Sequence, residues 1–249
     1  MLRLITDFDG PVMDVAERYY RVYQYCLQQV QRLDQAVQPL SKEEFWRLKR
    51  AQVPEREIGQ MSGLDAEQAI DFAKLRRLTV HTLPYLVHDL PKEGAIATLE
   101  RLQQLGIELV VMTMRRVREL DEALTRCDLG RFFPVDRRYC LSNDYVKTTD
   151  VQDKPLLMER ALAELPPVDE TWMVGDTEAD IAAAKAHGIK IVGVLSGIRS
   201  RQQLMLYQPD AIVENLGAAV ELILQQTTKR DPQSKEQVAL SANTSWGSR

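Results

Sequence analysis

"LITDFDGPVMD", residues 4–14, decides the fold: an apolar run stops at two carboxylates one residue apart, with Gly10 and Pro11 directly behind them. Leu2 to Thr6 reads as a short buried strand, so Asp7 and Asp9 fall where that strand ends. The same texture returns in "IELVVMT" (107–113), "TWMVGD" (171–176), "KIVGVLSG" (190–197) and "DAIVEN" (210–215). Helical stretches separate these runs. "IATLERLQQLG" (96–106) sets Ile96, Leu99, Leu102 and Leu105 on one stripe and stops at Gly106. Strand and helix in alternation predict an α/β fold, a parallel sheet with helices on both faces.

Between residues 14 and 91 the pattern is helical throughout. Ala16, Tyr19, Tyr20, Tyr23, Cys26, Leu27, Val30 and Leu33 recur at spacings of three and four. Ser41 with Glu44 forms a capping-box start for "KEEFWRLKR", and further helices are expected over 54–61 and 65–83. The chain therefore divides into a core, 1–13 with 92–226, and an all-helical insertion, 14–91, joined near Val12 to Asp14 and Leu90 to Lys92. Residues 227–249 are polar and aperiodic, a tail expected to be disordered, and Trp246 within it is a lone aromatic.

Composition narrows the function. The 249 residues carry a net charge of -4, which gives no electrostatic footprint for nucleic acid or an anionic membrane. Hydrophobic content of 45% and charged content of 27% fit a globular chain. Cys26, Cys127 and Cys140 are too scattered for a disulfide framework or a C-x-x-C zinc site, so a reducing cytoplasm is expected. No leader pattern opens the chain and no apolar run is long enough to span a membrane. His81, His88 and His187 are isolated from one another.

In an open parallel sheet, ligands gather at the carboxyl ends of the strands. Asp7 and Asp9, then Thr113, then Asp176 with Asp180 all belong to that edge, and Lys154 opens a helix in "DKPLLMERAL". Taken alone, Asp9-Gly10 is ordinary turn chemistry and Asp176 with Asp180 are ordinary helix-start acids. Brought together, the four carboxylates demand counter-charge. A hard divalent cation such as Mg²⁺ suits oxygen donors, and no His or Cys cluster competes for it. An EF-hand is excluded because Pro11 occupies a position that must offer a side-chain oxygen.

The series "DFDG", "VVMT", "DK" and "VGDTEAD" resembles the four motifs of the haloacid dehalogenase-like superfamily, and the insertion resembles the helical C1 cap of its phosphoglycolate phosphatase and β-phosphoglucomutase branch. The resemblance implies a Rossmann-like core and Mg²⁺-dependent hydrolysis of a small phosphorylated metabolite. It casts Asp7 as nucleophile, phosphorylated in turn, and Asp9 as general acid/base. Thr113, with Met114 beside it, and Lys154 would bind phosphate. Asp7, Asp9 (through its backbone carbonyl), Asp176 and Asp180 would surround the metal, Asp180 as a ligand or as an acceptor behind one. A phosphosugar mutase or a non-catalytic binding protein of the same fold are the alternatives. Pro11 stands where the family pattern has Thr, and "TMRR" departs from the usual second motif. Arg47, Lys49 and Arg50 from "FWRLKR" are candidates for a second anionic group of the substrate, and Arg115 from the second motif is a further specificity candidate, placed to meet phosphate oxygens.

Overall fold

The computed structural model describes residues 1–230. Its strands are β1 (Leu2–Thr6), β2 (Met13–Asp14), β3 (Leu90–Pro91), β4 (Glu108–Arg116), β5 (Arg138–Leu141), β6 (Glu170–Gly175), β7 (Lys190–Val194) and β8 (Ala211–Val213). Six of them form one sheet in the order β5-β4-β1-β6-β7-β8, with every pair parallel. β1 therefore lies at the centre, flanked by β4 and β6, so the ends of these three strands converge.

Alternation along the strands builds two apolar layers. Leu4, Val111, Trp172, Val174 and Val192 face one side, where α6 (Ala95–Gln104), α7 (Val117–Arg126) and α11 (Leu216–Arg230) supply Leu99, Leu102, Leu120, Leu124, Val220 and Ile223. Ile5, Val110, Met112, Met173 and Ile191 face the other, covered by α8 (Asp150–Glu164), α9 (Glu178–Ala186) and α10 (Arg201–Leu206). Each such buried aliphatic contributes about 1.5–3 kcal/mol, and both faces are dry, as a parallel sheet requires.

α1 (Ala16–Val30), α2 (Lys42–Arg50), α3 (Glu55–Met61), α4 (Ala66–Thr79) and the single turn α5 (Leu83–Leu86) enclose a separate core. Tyr23 organises it: its ring stacks on Phe45 at 4.6 Å and meets Phe72 edge-on at 6.0 Å, while its hydroxyl hydrogen-bonds Ser62. The capping box at Ser41 and Glu44 forms as the sequence predicts. Leu33 does not join the stripe of α1, because the helix ends at Val30 and the chain turns through Asp34 at positive φ, leaving Leu33 exposed. β2 and β3 pair antiparallel where the insertion leaves and rejoins the core, and the Lys92 amide donates to the Val12 carbonyl at 2.8 Å.

α11 continues to Arg230, past the point where disorder is expected to begin; the remainder of the expected tail, residues 231–249 with Trp246, lies outside the described residues. Among the described residues no helix is long and apolar enough to cross a membrane.

Candidate active site

The end of β1 is fixed by its neighbour: the Asp7 amide donates to the Val174 carbonyl at 2.8 Å, which sets Asp7 beside the end of β6. The Phe8 amide then donates to Asp7 Oδ1 at 2.8 Å and orients the carboxylate. The loop closes through the Met13 amide to the Phe8 carbonyl and the Gly10 amide to the Met13 carbonyl. Gly10 has φ +95°, and a Cβ there would stand 2.5 Å from Asp176 Cγ. Pro11 sits buried in this turn, where its missing N–H costs no strand pairing.

Asp7, Asp176 and Asp180 converge, with a carboxylate oxygen from each lying within 4.8 Å of the others. Lys154, on the first turns of α8 and almost wholly buried, reaches Asp7 Oδ1 at 3.0 Å and also pairs with Asp180. Three carboxylates thus face one ammonium. Like charges at that separation repel by roughly 3–4 kcal/mol at an effective dielectric near 20. Burial first, then repulsion from Asp180, pushes Asp176 up to about 7. Burial likewise drives Asp7 well above the usual carboxylate range, against the pull of Lys154.

This donor set fits a hard divalent cation. It is all oxygen, and its charge deficit of two is what such an ion supplies. Asp7 and Asp176 are the residues that would hold it. Asp180 offers an oxygen to the same cluster, and its Oδ2 accepts from the amides of Asp176 (3.1 Å) and Thr177 (2.9 Å) and from the Thr177 hydroxyl (2.7 Å). With its other oxygen on Lys154, Asp180 shapes the loop that carries Asp176.

Asp9 faces elsewhere. Its Oδ1 accepts from Arg115 Nε at 2.8 Å and lies 2.7 Å from Arg115 Nη2, while Oδ2 accepts from Arg18 Nη2 at 2.8 Å. The same two arginines hold Asp89, Arg18 Nε at 3.1 Å from its Oδ1 and Arg115 Nη2 on its Oδ2. Arg18 comes from α1 and Asp89 immediately precedes β3, so this ring of two acids and two bases ties the insertion to the core. Burial alone would raise Asp9, but the guanidiniums of Arg115 and then Arg18 hold it well below the usual carboxylate range. Asp89, wholly enclosed, is pushed by burial up to about 6 in spite of them.

The other sequence candidates scatter around these two centres. Thr113 is buried, and its hydroxyl accepts from the Arg115 amide at 3.2 Å. β4 does not end at Thr113 as expected but runs to Arg116, which caps α7. Met114 is half-buried against the apolar layer under α8. Arg47 is exposed, Lys49 pairs with Glu55, and Arg50 donates to the carbonyls of Leu195 (2.9 Å) and Arg199 (3.3 Å), bridging the insertion to the core.

Sequence reasoning passes over Arg18, Asp89 and the loop "SGIRS" (196–200). In that loop the Ile198 amide donates to Asp176 Oδ2 at 2.6 Å and the Ser196 hydroxyl to the Gly10 carbonyl at 2.9 Å. A Cβ at Gly197 would overlap the Asp176 side chain. The available signal is Gly197, three residues past the end of β7, at the edge where ligands gather.

Residues 3–188 match the family model of haloacid dehalogenase-like hydrolases. A phosphoglycolate phosphatase of Pseudomonas fluorescens is 24% identical over 70% of this chain and 60% of its own length. The pyrophosphatase PpaX of Anoxybacillus flavithermus is 28% identical over 53% and 59%. The matches thus span 43% to 60% of the length of these and similar curated relatives. Among solved structures, a Clostridium difficile protein described as a candidate phosphatase superposes with a TM-score of 0.68 at 21% identity, over 89% of this chain and 97% of that one. A haloacid dehalogenase-like family protein of Streptococcus pneumoniae gives 0.65 at 18%, over 89% and 97%. These two share the fold.

Proposed function

Because the chain belongs to the haloacid dehalogenase-like hydrolase family, we propose that it is a cytoplasmic, Mg²⁺-dependent phosphatase of a small phosphorylated metabolite, working through an aspartyl phosphate at Asp7. The observation that carries this reading is the buried trio of Asp7, Asp176 and Asp180 around the Lys154 ammonium. Residues 14–91 act as the cap over a core of 1–13 with 92–226.

In the first step an Asp7 oxygen bonds to phosphorus as the bond to the leaving oxygen breaks, and Asp9 gives that oxygen its proton. In the second, Asp9 takes a proton from water, whose oxygen attacks phosphorus and returns Asp7 as a carboxylate. Lys154 holds Asp7 in place and offsets the negative charge of the phosphoryl group, and Thr113 offers its hydroxyl to the same group. Mg²⁺, when bound by Asp7 and Asp176, supplies positive charge that lowers the repulsion between a carboxylate nucleophile and an anionic substrate. Asp9 can carry a proton only after giving up at least one guanidinium. Since Arg18 belongs to the cap, cap movement and acid/base competence are coupled.

The test is hydrolysis of an aryl phosphate with and without Mg²⁺, beside mass analysis for phosphorylated protein. Release is expected only with the metal and not in Asp7→Asn; an Asp7→Asn protein with full turnover ends the reading.

A further inference from the structure

The loop that orients Asp176 is held from two sides. On the core side the Leu195 amide donates to the Val213 carbonyl, the Ser196 hydroxyl to the Gly10 carbonyl, and the Ile198 amide to Asp176 Oδ2 at 2.6 Å. On the other side stands the end of α2, in the cap. Arg50 Nη2 donates to the carbonyls of Leu195 (2.9 Å) and Arg199 (3.3 Å), one near each end of the loop, and the Ser200 amide donates to the Arg50 carbonyl at 2.9 Å. Gln203 Nε2 reaches the Ala51 carbonyl at 3.2 Å. Gln52 Nε2 donates to Glu178 Oε1 at 2.8 Å, an oxygen that also accepts from Arg199 Nη2 at 2.7 Å. Glu178 opens α9 two residues after Asp176.

Gln52 has φ +59°. That left-handed conformation is common just past a helix, and glycine adopts it without strain. A glutamine there accepts the strain and in return extends a side chain to the core. Arg50, a substrate-anion candidate on sequence grounds, commits its guanidinium to backbone carbonyls instead. Both residues therefore act on the segment that surrounds Asp176.

A carboxylate with one oxygen anchored has its plane fixed, and with it the direction in which the other oxygen meets a cation. The Ile198 amide supplies that anchor only while the loop keeps its path past Asp176, and Arg50 holds the loop near both ends. We infer that Arg50 and Gln52 are positioning residues of the metal centre: seated on the core, the end of α2 fixes the 196–200 loop and so aims Asp176, which gives the docked cap a higher Mg²⁺ affinity than the undocked one. This rests on the reading above of Asp176 as a metal ligand and of residues 14–91 as a cap. Because linkage is reciprocal, Mg²⁺ tightens the seat of the cap by the same factor.

Electrostatics alone predicts the opposite sign. Deleting the Arg50 charge removes a cation from the neighbourhood of a cation site and would tighten Mg²⁺ binding, whereas loss of the loop's support loosens it. Calorimetric Mg²⁺ titration of the full chain, without substrate, separates the two. Arg50→Met should bind about five- to thirtyfold more weakly than the native protein. Lys74→Met, the same charge change on an exposed turn of α4, should bind as the native protein does. Gln52→Gly relaxes the left-handed residue while deleting the bond to Glu178, so its Tm should equal or exceed the native value as its Mg²⁺ affinity falls. No general loss of stability produces that split, and this variant carries the test if Arg50→Met does not fold. In the native protein, saturating Mg²⁺ should slow hydrogen exchange at the Ser200 amide by a comparable factor. Native or tighter affinity in both variants, or Ser200 exchange indifferent to Mg²⁺, overturns this inference and leaves the phosphatase reading standing. Absence of Mg²⁺ binding in the native chain sinks the metal reading itself.

Discussion

The ring of Asp9, Arg18, Asp89 and Arg115 makes a quantitative demand on stability. Arg115→Met removes the guanidinium from both Asp9 and Asp89, and Asp89 has no exposed surface through which water could replace it. Stripping one partner from a buried pair costs about 3–5 kcal/mol, because the remaining charge is left uncompensated. For a chain of this size that corresponds to a fall in Tm of about 6–20 °C. Asp89→Leu alone leaves two arginines crowded on Asp9 and is also destabilising. The double variant removes one charge of each sign and leaves Arg18 paired with Asp9, so it should be more stable than the sum of the two singles predicts, by about 2–3 kcal/mol of coupling. Urea unfolding of the four proteins at one pH, followed by intrinsic Trp fluorescence, measures the cycle, since Trp172 lies in the sheet core. If the two substitutions add to within about 0.5 kcal/mol, the residues do not form the shared network described here.

The acidic centre sets three further expectations. Asp176 stands at about 7 in the fold against 3.8 as an isolated group, so the native chain binds more protons than the unfolded one across that window. Metal-free protein should therefore lose stability as pH rises from about 4 to 7, and its Mg²⁺ affinity should climb over the upper part of the same range; thermal melts and Mg²⁺ titrations at several pH values check both signs. Lys154→Met leaves Asp7 and Asp180 without their ammonium, and should lower kcat by about a hundred- to a thousandfold, as expected for loss of a charge aimed at the reacting group; steady-state kinetics with an aryl phosphate would read it. Gly197→Ala places a Cβ into the Asp176 side chain, so Mg²⁺ affinity should fall while far-UV circular dichroism stays native.

What the sequence disclosed follows the reach of local patterns. Asp7, Asp176, Asp180 and Lys154 are legible because each sits where an apolar run or a helix begins or ends, and a parallel sheet brings such points to one edge. Asp89 is illegible for the opposite reason. Nothing around "VHDLP" distinguishes it until Arg115, 26 residues away, and Arg18 of the first helix fold onto it. β5 escapes because "RYCL" has only three apolar residues after Arg137 and Arg138, too few to show a period, although Tyr139 and Leu141 pack into one apolar layer and Cys140 into the other. α11 outlasts its apolar period, since "QQTTKR" reads as polar tail although Gln, Lys and Arg are good helix formers. There the Thr227 hydroxyl bonds back to the Ile223 carbonyl and across to Glu170.

Asp7 and Asp9 stand one residue apart in opposite electrostatic surroundings, and their assigned roles require that difference. A carboxylate nucleophile must stay ionised with an oxygen free to attack. The Lys154 ammonium pulls Asp7 toward the ionised form against its burial, and the centre, short of two further positive charges, is completed for that role by a bound cation. A proton carrier needs the reverse, a partner that holds it while the site is empty and can be displaced when substrate arrives. Arg18 and Arg115 form such a partner because Asp89 shares them, so neither arginine depends on Asp9 alone. Phe8, wholly buried between the two acids with the Arg115 guanidinium 5.1 Å over its ring, separates the two surroundings. The separation is not complete, because the charge of Asp9 still raises the proton affinity of Asp7, so a cation bound on the Asp7 side eases the charge balance of both acids.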